Sequence, residues 1–133
     1  MNTKLVMTLS AAALILAGLS LTFLPNEIAR LSGVGQAPVL NVLLQTLGAL
    51  YFAFAMLNWM TKGSRIGGIY NRPIALANFA HFFMVALALL KALMSNPQLP
   101  AGLWLVAGVY AVFAGLFSLI LFRHPLAEPE VSV

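Results

Sequence analysis

The side chains in this chain that could do chemistry are few, and nearly all lie inside long apolar runs. Gln45, Thr46, Tyr51, Asn58, Asn78, His81, Tyr110 and Ser118 are each surrounded in sequence by Leu, Ala, Val and Phe. A polar group in hydrocarbon is unfavourable to keep, so each is a candidate for function by default. Asn78 and His81 are three residues apart and share a helix face, as do Tyr51, Ala55 and Asn58. If those two faces meet, Asn58 and Asn78 lie at a similar depth and Tyr51, His81 and Tyr110 form a layer across three helices. Such a layer could hold the polar head of a lipid-soluble ligand, a quinone carbonyl for example, or could simply tie the helices together. Tyr51, Asn58, Asn78, His81 and Tyr110 are therefore the candidate ligand-binding residues.

The missing residue types exclude more. No Asp or Glu falls within an apolar run, so a carboxylate proton relay or a cation-coupled carrier has no coupling group. With no cysteine there is no thiolate, whether as metal ligand or as nucleophile. There is no HExxH pair and no glycine-rich phosphate loop after a strand. The second histidine, His124, is placed at a membrane interface rather than at the depth of His81, which disfavours a bis-histidine haem. No catalytic residue, metal or cofactor is expected.

The elements that must position these residues follow from composition. Of 133 residues 62% are hydrophobic and 8% charged, whereas a soluble domain carries about 25% charged residues on its surface. Lipid is the solvent that suits such a chain. Crossing a hydrocarbon core of about 30 Å takes about 20 mostly apolar residues in a helix. Four stretches qualify, at residues 5–24, 39–60, 73–93 and 101–122, with prolines 25, 38, 73, 97, 100 and 125 near their ends. The expected fold is an all-α integral membrane four-helix bundle, one domain over residues 1–133 with a short tail at 125–133. The first apolar run is longer than a secretory signal core of about 7–15 residues, and it is expected to remain as a span.

Lys and Arg near span ends set orientation. Lys4, Lys62, Arg65, Arg72 and Arg123 fall on one side of a four-span chain, with Arg30 and Lys91 on the other. That asymmetry puts both termini in the cytoplasm. The basic residues are scattered singly at span ends, so a net charge of +4 does not point to nucleic acid. After the first span, Asn26 can cap a short interfacial helical turn, with Glu27 at its positive end and Gly33 and Gly35 beyond it. Helices in lipid associate where small residues let backbones approach. Ala107, Ala111 and Gly115 in the fourth span, Ala13, Ala17 and Gly18 in the first, and Gly48 and Ala49 in the second are the expected contact points inside the bundle.

The order of features resembles the DoxX-like group of small bacterial four-helix membrane proteins. The likeness lies in Phe23-Leu24-Pro25 closing the first span, then Asn26-Glu27-Ile28-Ala29-Arg30-Leu31 and Gly33. It continues in Leu47-Gly48-Ala49-Leu50-Tyr51 and in the short basic loop before the third span. It implies a multi-pass protein of the cytoplasmic membrane, with some relatives serving as subunits of quinone-linked oxidoreductases. It transfers no catalytic residue. Three functions are compatible with these residues. The first is a non-catalytic component of a membrane complex, with another membrane protein or a second copy as partner. The second is a binder of a quinone or other lipid-soluble ligand linked to a redox system. The third is a small oligomeric transporter or channel.

Overall fold

The computed structural model describes residues 2–33, 35, 37–64 and 71–122. Within them the chain forms five helices: α1 (Thr3–Phe23), α2 (Pro25–Leu31), α3 (Pro38–Thr61), α4 (Arg72–Ser95) and α5 (Gly102–Phe122). Four of these, α1, α3, α4 and α5, are long and apolar enough to cross a membrane. Their limits match the expected spans to within a few residues. Arg65, Gly67, Gly68, Arg123, His124 and the tail at 125–133 lie outside the described residues.

Helix starts are written locally. Asn2 caps α1, its side-chain oxygen accepting from the Leu5 N–H at 3.2 Å. Proline is the first residue of α2 and α3 and the second of α4, where a missing N–H leaves no hydrogen bond unmade. The helix after the first span corrects one expectation. Its N-cap is Leu24, not Asn26, because Pro25 already occupies the first helical position. Asn26 lies inside the helix, and its oxygen accepts from Asn41 Nδ2 at 2.8 Å, tying α2 to the first turn of α3. Gly33 follows at a φ of +72°, a left-handed conformation that glycine adopts without a Cβ clash.

The long helices form two antiparallel pairs, α1 with α3 and α4 with α5, and α1 also touches α5. The tightest approach is between Gly18 and Gly48. A Cβ on Gly48 would lie 2.7 Å from the Gly18 carbonyl oxygen and would strike the Thr22 hydroxyl; a Cβ on Gly18 would lie 2.9 Å from the Gly48 oxygen. These two glycines supply the close backbone contact that the small-residue rule requires. The stripe on α5 does something different from what its spacing suggests. A Cβ on Gly108 or Gly115 would meet nothing, and Ala111 is exposed. Of the expected stripe Ala107 is buried, on a face with Tyr110, Ala114 and Phe117, whereas Ala111 and Gly115 lie along an open groove between α4 and α5 without close backbone contact.

Phe82, Phe117, Met7 and Leu14 fill the centre. Outward, Leu16, Val39, Met84 and Leu105 are each about 70% exposed (69%, 71%, 67% and 72%), an apolar surface suited to hydrocarbon and not to water. Antiparallel pairing brings Lys4, Lys62 and Arg72 to one end of the bundle, and Glu27, Arg30 and Lys91 to the other.

Candidate functional site

The two helix pairs are joined by two polar layers. The first is near the end where α1 begins. Ser10 of α1, Asn58 of α3 and Asn78 of α4 are all fully buried. Asn58 Nδ2 donates to Asn78 Oδ1 at 2.7 Å and to Ser10 Oγ at 3.0 Å. Asn78 Nδ2 donates to Asn58 Oδ1 at 2.8 Å and to the Ile74 carbonyl at 3.0 Å. Ser10 Oγ donates in turn to the Met7 carbonyl at 3.0 Å. Both hydrogens of each amide and the hydroxyl hydrogen thus end on protein acceptors. A buried polar network closed in this way avoids the penalty of an unpaired group and fixes one arrangement of its helices.

Ser10 escapes the list drawn from sequence. A serine within a run of Ala and Leu reads as a small packing residue. The available signal is its place one helical turn before Leu14 and two before Ala17, on the stripe that turns inward.

The second layer is deeper. The His81 ring centroid lies 5.3 Å from that of Tyr51 and 5.7 Å from that of Tyr110, so the three candidates from three helices do come together. Phe54 stacks on the imidazole at 5.1 Å, with planes 23° apart, and Phe82 meets it edge-on at 5.1 Å. Phe82 continues the stack to Phe113 and Phe117, at 4.9 and 5.6 Å. Offset and edge-to-face rings of this kind contribute about 0.5–1.5 kcal/mol per pair beyond their burial. His81 is surrounded by rings but does not use all of its polar capacity: Nε2 is buried and has no hydrogen-bond partner among the described residues. The Tyr110 phenol interacts with Tyr51 instead.

Above this layer, toward α2, the helix pairs part. A cleft of about 290 Å³ is lined by Tyr51, Tyr110 and Ser20, with Leu47, Val85 and Val106 among its apolar walls. The five candidates therefore separate into three environments. Tyr51 and Tyr110 face the cleft, His81 packs behind them, and Asn58 and Asn78 belong to the closed amide layer. Gln45 and Thr46 are exposed; Gln45 reaches the Thr22 carbonyl at 3.4 Å, and Thr46 Oγ1 donates to the Val42 carbonyl at 2.8 Å. Ser118 is half-buried in a groove between α4 and α5. Among the described residues no group of three or more His, Cys, Asp or Glu side chains is placed to hold a metal ion.

No protein-family model matches the chain, and no curated protein or solved structure matches it either.

Proposed function

We propose that this chain is a non-catalytic component of a membrane complex, resident in the cytoplasmic membrane with both termini on the cytoplasmic side. The observation that carries this reading is the closed Ser10–Asn58–Asn78 network. The fully buried polar side chains are engaged with one another across α1, α3 and α4, as in a scaffold, and leave no donor for a substrate. The broad apolar exterior suits contact with lipid and with a membrane partner. The likeness of the sequence to DoxX-like proteins, some of them subunits of larger enzymes, supports the same reading. The test is purification of the native complex in mild detergent, followed by mass spectrometry of proteins and lipid-soluble molecules. A stoichiometric partner protein is the expected result; a chain that always purifies alone overturns it.

One observation favours a second reading, the binding of a quinone or similar lipid-soluble ligand. The cleft above the ring layer is apolar except for the phenols of Tyr51 and Tyr110 and the Ser20 hydroxyl, a few polar groups converging in an otherwise hydrophobic site. A small molecule retained by the wild type and lost from Tyr51→Phe and Tyr110→Phe, with the bundle still folded, supports it. Identical small-molecule content in all three proteins overturns it.

A further inference from the structure

A groove opens at the end of the bundle where α4 begins and α5 stops. It encloses about 550 Å³ between Arg72, Pro73, Leu76, Phe79, Leu121 and Phe122. Such a volume is within the range of about 300–1,000 Å³ common for sites that hold small molecules. Apart from Arg72, these residues are apolar. Phe79 and Phe122 meet edge to face at 6.3 Å along the groove. Leu76 and Phe122 are 53% and 67% exposed, so the groove opens sideways, toward lipid, and not only along the bundle axis.

Depth and charge say what kind of molecule fits. Arg72 is the first residue of its helix, and Phe79 is seven residues further on, about 10 Å deeper at 1.5 Å per residue. The groove thus runs from a cation at the helix end into the hydrocarbon. The Arg72 guanidinium is exposed and forms no ion pair or hydrogen bond with a described residue. Glu27, the acidic residue among those described, is at the opposite end of the bundle. Lys4 and Lys62 share the Arg72 end, and Lys62 Nζ lies 2.9 Å from the centroid of the Trp59 ring. Cations beside an indole are the arrangement found at the level of lipid headgroups.

We propose that this groove seats one anionic phospholipid, its phosphate on Arg72 and an acyl chain along Leu76, Phe79 and Phe122. The inference is independent of the proposed partner complex and of the cleft above Tyr51, since it concerns the other end of α4. A guanidinium offers a phosphate two parallel donors, and the apolar wall below it matches an acyl chain in shape and polarity.

The test uses the full chain in nanodiscs of phosphatidylcholine with one quarter phosphatidylglycerol, reading the lipid retained on gentle release by native mass spectrometry. Wild type is expected to retain phosphatidylglycerol over phosphatidylcholine. Arg72→Gln should reduce that preference about fivefold, the effect of one interfacial cation on anionic lipid. Arg72→Lys should keep part of it, and Lys91→Gln, at the other end, should leave it unchanged. An unaltered preference in Arg72→Gln, or an equal loss in Lys91→Gln, overturns the proposal. Leu76→Trp fills the groove from its exposed wall and should lower retention with all charges intact. Full retention in that variant also overturns the proposal, and this arm stands even if Arg72→Gln fails to fold.

Discussion

Asn58 and Asn78 grip each other with both amides, Asn58 Nδ2 lying 2.7 Å from Asn78 Oδ1 and Asn78 Nδ2 2.8 Å from Asn58 Oδ1. The pair crosses from α3 to α4, and therefore from one helix pair to the other. Ser10 adds α1 to the same knot through the second hydrogen of Asn58. In hydrocarbon there is no water to replace a lost partner, so what each amide loses depends on whether the other remains.

Asn78→Leu should therefore lower stability by about 1–3 kcal/mol, because it leaves Asn58 buried with an unmet donor and acceptor. Asn58→Leu should behave alike. The double variant should lose clearly less than the two losses added, since no orphan is left and contacting residues are not additive. Thermal or denaturant unfolding in one detergent, run as a double-mutant cycle, measures the coupling. Strict additivity would contradict the network.

Gly18 and Gly48 give a sharper contrast. The atoms that a new Cβ on Gly48 would meet include a backbone carbonyl, which cannot rotate away. Gly48→Ala should cost about 1–3 kcal/mol by overpacking and should separate α1 from α3. Gly115→Ala, with open space around its Cβ, should be neutral or slightly stabilising, because alanine favours helix over glycine by up to about 1 kcal/mol. By the same geometry Leu116→Ala should destabilise more than Gly115→Leu, since Leu116 packs on the core and Gly115 does not. Melting temperatures of the four variants decide it; a larger loss at Gly115 would restore the α5 seam that its spacing suggests.

His81 lies among four rings with Nε2 unpartnered. If its role is packing, His81→Phe should keep or raise stability, because an apolar ring replaces one that buries an unmade hydrogen bond. His81→Ala should lose less than the about 3–5 kcal/mol typical of truncating a fully buried Phe or Trp, because the His81 ring is half-buried. A sharp loss in the phenylalanine variant, together with a ligand lost from the purified protein, would assign Nε2 to a bound molecule.

Topology has its own check. Reporter fusions before Asn2 and between Lys62 and Ser64 should both read cytoplasmic, and one at Gln98 should read outside. Reversing Lys62 and Arg72 to Glu should reduce the fraction of chains in that orientation, because Lys and Arg near span ends govern insertion. An external reading at Lys62–Ser64 would reverse the orientation argued from charge.

Several features were legible in the sequence because they depend on neighbours along the chain. Residues 5–24, 39–60, 73–93 and 101–122 read as spans from hydropathy and length, and prolines 25, 38 and 73 mark where helices begin. The shared faces of Tyr51 with Asn58 and of Asn78 with His81 follow from helical spacing, and the structure brings those faces together. What spacing could not decide is which face of each helix turns inward. Every span is apolar all round, so no amphipathic contrast distinguishes inside from outside in lipid. For that reason Ala111 and Gly115 looked like a close seam and prove to border an open groove between α4 and α5, while Ser10 looked like filler and is part of the buried network. Those choices are made by steric fit between helices, in which Gly18 must find Gly48, and by the need of the fully buried Asn58 and Asn78 amides for partners.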